Sequence, residues 1–139
     1  MNQKKLDALN QKFAKVSAEE VFQYAVRKFG KKLTLASSLG VEDQVLTHMF
    51  TNETDGVDVF LLDTGRLPQE TYNVIEKTMT QYAFTYRVFF PNTTAVEQMV
   101  SEHGPNHFYH SLDNRKECCN IRKVEPLTRA LDGYQAWIT

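Results

Sequence analysis

Leu33-Thr34-Leu35-Ala36-Ser37-Ser38-Leu39-Gly40-Val41-Glu42-Asp43 reads as a short apolar strand, a loop of small residues and the start of a helix. The helix runs to about residue 50. The same unit then recurs. Residues 57–62, Val-Asp-Val-Phe-Leu-Leu, are mostly apolar, as expected of a strand buried on both faces. Asp63-Thr64-Gly65 breaks that strand, and Pro68 suits the first turn of a helix to about Tyr82. Phe84-Thr85-Tyr86-Arg87-Val88-Phe89-Phe90 is a third strand, stopped by Pro91. Thr94 caps a helix to about His103, and Gly104-Pro105 marks a break. A further helix opens near Cys118, with Pro126 as either a kink or a new start, and residues 135–139 read as a fourth strand. Regular strand–helix alternation predicts an α/β fold, a Rossmann-like, mostly parallel sheet with helices on both faces. Ligands of such sheets bind beyond the carboxyl ends of the strands. Residues 37–40 and 63–66 lie at those ends.

Upstream, Ser17 and Glu20 form a capping box. The helix over 18–29 is expected to bury Val21, Phe22, Ala25, Val26 and Phe29, and Gly30 ends it. Residues 1–15 carry Leu6, Leu9 and Phe13 at helical spacing and read as an amphipathic helix, not a targeting peptide. No repeat, low-complexity tract or Pro/Gly-rich linker divides the 139 residues, so one domain over 1–139 is expected. A net charge of −1 gives no signal for nucleic acid across the whole surface. No apolar run approaches the ~18 residues of a membrane-spanning helix. The two cysteines and the lack of a secretory h-region point to the cytoplasm.

Three constellations carry chemistry. In Ser37-Ser38-Leu39-Gly40, with Asp43 in the helix beyond, small side chains let backbone N–H groups approach an anion, and the helix N-terminus adds partial positive charge. The alternative is a loop that only turns the chain. In Leu62-Asp63-Thr64-Gly65-Arg66, a carboxylate, a hydroxyl and a cation stand at a strand end. There the alternative is a turn in which Asp63 bonds its own backbone. Cys118 and Cys119 are adjacent, and Arg115, Lys116, Arg122 and Lys123 lie within four positions of them. Cations favour the thiolate, and thiolates are the ligands of soft metals and iron–sulfur clusters. The alternative is a pair of reduced, partly buried small apolar residues. His103, His107 and His110 fit no zinc spacing with the cysteines and read as a surface loop. Trp137, Phe84, Tyr86, Phe89 and Phe90 read as core.

Together these segments resemble the assimilatory sulfonucleotide reductases, and among them adenylylsulfate (APS) reductase. The residues that carry the resemblance run from Ser37 to Asp43, from Leu62 to Tyr72, from Cys118 to Leu127 and from Gly133 to Thr139, in the family's order. The resemblance implies a fold of the adenine nucleotide alpha hydrolase type. It also implies an adenine nucleotide on the first two loops, across Ser37, Ser38, Leu39, Gly40, Asp43, Leu62, Asp63, Thr64, Gly65 and Arg66. Cys118 and Cys119 would supply half the ligands of a [4Fe–4S] cluster. Lys123 would stand between cluster and substrate, stabilising charge on the sulfate. The paired cysteines favour APS over phosphoadenylylsulfate.

The family's second cysteine pair and its nucleophilic cysteine have no counterpart among these residues. The chain is therefore expected to be the N-terminal part of such an enzyme and inactive alone. In the whole enzyme, a cysteine thiolate attacks the sulfur of APS, AMP leaves, and thioredoxin releases sulfite from the S-sulfocysteine. The implied partners are APS or AMP and thioredoxin, with no nucleic acid and no membrane, and self-association stays open. The competing readings are a phosphoadenylylsulfate reductase and a non-redox, ATP pyrophosphatase-like nucleotide-binding protein.

Overall fold

Leu33, Thr34 and Leu35 are successive residues, and all three are buried. A strand hides consecutive side chains only when both faces of its sheet are covered. This strand, β1 (Leu33–Ala36), is internal in a four-stranded parallel sheet with β2 (Asp58–Leu62), β3 (Arg87–Phe89) and β4 (Ala136–Ile138), in the order β3-β2-β1-β4. The computed structural model describes residues 3–53 and 58–139. The expected start of β2 at Val57 lies outside them, as do the first two residues of the expected amino-terminal helix.

Helices α1 (Gln3–Phe13) and α2 (Ala18–Phe29) precede the sheet. The capping box of α2 is formed: Ser17 Oγ accepts from the Glu20 N–H, and the Glu20 carboxylate accepts from the Ser17 N–H. Between the strands lie α3 (Val41–Glu53), α4 (Gln69–Tyr82), α5 (Thr93–His103), α6 (Leu112–Cys119) and α7 (Glu125–Ala130). On one face of the sheet, Leu33, Leu35, Val59 and Leu61 pack with Phe22 of α2, Met49 and Phe50 of α3, and Tyr86. On the other, Phe60 meets Phe89 edge to face, and α7 packs against β2 and β3. Fully burying one such Phe or Leu stabilises by about 1.5–3 kcal/mol.

The details differ from expectation in several places. Only Arg87–Phe89 of the third run pairs as strand, because β3 is an edge, with β2 as its hydrogen-bonding neighbour. Phe90 therefore lies exposed beyond it, whereas Tyr86 is buried. Trp137 is 45% exposed, since β4 is the other edge. Val21 is exposed on the outer side of α2. Asn92, not Thr94, caps α5 by accepting from the Ala95 N–H. Pro68 is the N-cap of α4 and stands one residue before its first turn. Of the two roles expected of Pro126, the new start is the one found: a π-helical turn, Asn120–Val124, joins α6 to α7, and Pro126 sits in the first turn of α7, where its missing N–H is harmless.

Candidate functional site

The first strand-end loop follows β1. Ser37 N donates to Phe60 O at 2.8 Å, extending the β1–β2 register by one step. Leu39 then takes φ +67°, a left-handed conformation that a leucine adopts only at a steric cost. The loop holds it there with its own side chains. Ser37 Oγ accepts from Leu39 N, Ser38 Oγ from Gly40 N, and Asp43 Oδ2 from Ser38 N. The N–H groups expected to meet an anion are thus engaged within the chain. Glu42 and Asp43 also place negative charge in the first turn of α3, where it offsets the helix dipole.

The second loop follows β2. Asp63 is buried and uses both carboxylate oxygens locally, accepting from Gly65 N at 2.8 Å and from Tyr72 Oη at 2.9 Å. That geometry is the turn reading of Asp63. The bond to Asp63 leads the effects that push the Tyr72 phenol above its ordinary range. Gly65 takes φ +70°, and a Cβ there would stand 3.3 Å from Arg122 Nη1, so both conformation and space favour glycine. Arg66 is held in place: it donates to Pro105 O at 2.7 Å and Asn106 Oδ1 at 3.1 Å, and lies over the Phe108 ring.

The third segment is α6 with its π turn. Ser111 caps α6 by accepting from Asn114 N. Cys118 is buried and Cys119 half-buried, and neither is bridged. Arg122 is only 8% exposed; its Nη1 donates to Thr64 O at 2.6 Å, and its Nε is buried with no partner. His107 is 2% exposed, with Nε2 3.6 Å from the Glu117 carboxylate. It is therefore part of the packing beneath α6, not of a surface loop; His103 and His110 are exposed.

These segments enclose two neighbouring cavities. One, of about 360 Å³, lies at the strand ends: Ser37, Ser38 and Thr64 offer polar atoms, while Phe60, Leu67, Leu127 and Trp137 give apolar walls. The other, of about 420 Å³, is lined by Arg66, Arg115, Arg122 and Lys123 with Cys118 and Cys119, and by the Phe108 and Tyr109 rings. Thr64 and Lys123 line both cavities. No acidic side chain lines the second, and among the described residues none of its four cations forms an ion pair. A buried cation without a counter-charge is costly. The cavity is suited to an anion beside two thiols, and the strand-end cavity to a flat, partly apolar group.

The thiols are the right donors for a soft metal or cluster, but two do not complete a set. Among the described residues no group of three or more His, Cys, Asp and Glu side chains could hold a metal ion. The residues present fit half of a four-thiolate site.

Ser37, Ser38 and Leu62 thus line the strand-end cavity, Arg66, Cys118 and Cys119 the cationic one, and Thr64 and Lys123 both, while Leu39, Gly40, Asp43, Asp63 and Gly65 shape the loops and line neither. The sequence reading missed Trp137, Leu67 and Leu127 as walls of the strand-end cavity.

Residues 32–139 match the family model described as phosphoadenosine phosphosulfate reductase domain. An adenosine 5'-phosphosulfate reductase of Burkholderia cepacia is 41% identical over 126 residues, 91% of this chain and 50% of that protein. One from Allochromatium vinosum is 43% identical over 107 residues, 77% of this chain and 42% of that protein. Among solved structures, the phosphoadenylyl-sulfate reductase of Candida auris, a phosphate complex, is similar with TM-score 0.82 and 26% identity, over 99% of this chain and 66% of that one. The chain spans about half the length of the curated relatives it matches.

Proposed function

This chain belongs to the phosphoadenosine phosphosulfate reductase domain family, and on that premise we propose that it is the nucleotide-binding portion of a thioredoxin-dependent adenylylsulfate reductase. The carrying observation is the cavity lined by two thiols and four cations, none of them in an ion pair among the described residues, joined through Thr64 and Lys123 to the strand-end cavity. Adenosine occupies the strand-end side, between the Ser37–Ser38 backbone and the apolar walls. The phosphosulfate reaches past Thr64 to Lys123, Arg115 and Arg122. These cations stabilise the negative charge that gathers on AMP as the leaving group when a thiolate takes the sulfur. Lys123 and Arg115 are exposed and free to adjust to the ligand, whereas Arg122 is fixed.

Cys118 and Cys119 would hold two corners of a [4Fe–4S] cluster, with the other ligands supplied from elsewhere; bound there, the cluster supplies electrostatic or redox capacity next to the sulfate. Unbridged cysteines suit a reducing compartment such as the cytoplasm. Among the described residues no helix is long and apolar enough to cross a membrane. Thioredoxin as reductant is part of the same proposal.

A second reading has its own support. One similar solved structure, that of Candida auris, is a phosphoadenylyl-sulfate reductase. Calorimetry with AMP, adenylylsulfate and phosphoadenylylsulfate separates the readings. Adenylylsulfate is expected to bind at least tenfold tighter than AMP, with the gain lost in Lys123→Ala. Tighter binding of phosphoadenylylsulfate would move the substrate to the second reading. AMP heat with no gain from the sulfate would support a non-redox nucleotide-binding protein, and no heat from any of the three would defeat the proposal for this chain.

A further inference from the structure

Arg66 and Arg122 both line the cationic cavity, yet each is already engaged with the chain. Followed through the fold, their bonds form a closed circuit. Arg66 leaves the second loop and ends on Pro105 O and Asn106 Oδ1. The next residue, His107, is tied to α6, because Asn114 Nδ2 donates to His107 O at 3.1 Å. Helix α6 carries Cys118 and Cys119 into the π turn. The π turn brings Arg122 back onto Thr64 O at 2.6 Å. Thr64 Oγ1 accepts from Arg66 N at 3.3 Å, which closes the circuit within the second loop.

We propose that Arg66 and Arg122 are positioning residues: they join the second strand-end loop and the cysteine segment into one mechanical unit, so that a ligand on the loop also orders the thiols. Arg122 is the stronger link. It is nearly buried and its bond to a carbonyl is charge-assisted. It also fills the space beside Gly65 that any side chain there would contest. Its buried, unpartnered Nε indicates that the guanidinium sits where Thr64 O requires it, not where its own hydrogen bonding would be complete. The π turn supplies the needed offset. Such single-turn insertions are common at functional sites. Arg66 is the weaker link, because it is exposed and its partners lie on a loop.

The identity of the loop's ligand rests on the proposed function; the mechanical unit does not. Hydrogen exchange read by mass spectrometry tests both on the full chain. Without ligand, Arg122→Ala should speed exchange across residues 111–124 about tenfold, as expected for losing one charge-assisted hydrogen bond. Exchange in β1 and β2 should stay unchanged. Arg66→Ala should act on the same residues by a smaller factor, and the double variant should fall short of the product of the two, because one cut already opens the circuit. Arg122→Lys, which keeps the charge and a donor, should recover part of the protection. With AMP, the wild type should gain protection in both residues 62–66 and residues 111–124, whereas Arg122→Ala should gain it in residues 62–66 alone. Unchanged exchange over 111–124 in Arg122→Ala would overturn the proposal. So would faster exchange spread evenly over the sheet, or AMP protection reaching 111–124 without Arg122. If AMP protects nothing even in the wild type while the ligand-free differences appear, the mechanical unit stands and the proposed function is what fails.

Discussion

The two ends of the sheet treat positive charge in opposite ways. At the amino end, Arg87 at the start of β3 donates to Asp58 at the start of β2 at 3.2 Å, and Tyr134, just before β4, donates to the same carboxylate. Arg87 also lies over the Phe89 and Tyr134 rings. Both charges of that cluster have a partner, and three strands are held in register by it. At the carboxyl end, Arg66, Arg115, Arg122 and Lys123 face one cavity, and among the described residues none has a carboxylate. Arg122 departs from the usual rule that cations are paired or left in water: it is buried and, among the described residues, has no counter-ion. Grouped with three exposed cations it makes the carboxyl end suited to an anion, as the proposed function requires, whereas the cluster at the other end is paired.

The sharpest way to break this contrast is to reverse a charge at the open end. Lys123→Glu should lower adenylylsulfate affinity a hundredfold or more, since it removes a charge-assisted bond worth about 1.5–3 kcal/mol and adds repulsion. The side chain is exposed, and among the described residues it forms no ion pair. Stability by urea unfolding should therefore move by no more than about 0.5 kcal/mol. Because the attraction is electrostatic, wild-type affinity should also weaken with added salt. Affinity that survives the reversal would mean that these cations are not the anion's site.

Next in size is a substitution that separates geometry from charge at the same end. Asp63→Ala removes the buried acceptor for both Gly65 N and Tyr72 Oη. It should destabilise by about 1 kcal/mol, the usual net worth of such hydrogen bonds, because Gly65 and Tyr72 are exposed enough for water to replace the lost acceptor. Tyr72 reports on the loss directly. Its pKa is raised first by the Asp63 hydrogen bond, so ultraviolet titration should find one tyrosine ionising at lower pH in the variant. If Asp63 instead contacts ligand as its main role, nucleotide affinity will collapse while stability and the tyrosine titration stay put.

How much of this was legible follows from where each signal resides. The parallel α/β fold was readable because residues 33–35 and 59–61 are short, mostly apolar runs with consecutive buried side chains, a pattern local to the chain. Both strand-end loops and the cysteine turn were readable as polar or reactive groups at strand and helix ends. What Asp43 and Asp63 do there was not, because a carboxylate that accepts from its own loop and one that meets a ligand have the same sequence. The burial of His107 depends on α6 lying over it, a tertiary fact with no local trace. Trp137 and Phe90 were misread as core because edge position depends on strand order, and β4, last in the chain, lies beside β1, first among the strands. The circuit through Arg66 and Arg122 spans residues about 40 and 58 positions apart, beyond any spacing rule.

The smallest effect belongs to the amino-end cluster. Arg87 and Asp58 are each about half exposed, so solvent screens their attraction, and an exposed pair of this kind contributes roughly 0–1 kcal/mol. Asp58→Asn should thus shift the urea midpoint only slightly and leave adenylylsulfate binding alone, since the substitution sits at the opposite end of the strands from both cavities. Its clearer mark should be alkaline. The Tyr134 phenol is pushed above its ordinary value of 10.0, first by burial and then by its hydrogen bond to Asp58, with Arg87 opposing. The folded state therefore holds that proton where the unfolded chain would release it. The corresponding stability is fully present below pH 10 and is lost as the pH climbs through the folded value. The side-chain amide that replaces the carboxylate would keep an acceptor without the negative charge. The loss should therefore be smaller and complete at a lower pH in the variant, though only partly so, because burial leads the shift and is untouched. Stability curves of wild type and Asp58→Asn that coincide from neutral pH to beyond pH 10 would show that Asp58 does not set the Tyr134 proton, and that the three-strand cluster is packing without a charge contribution.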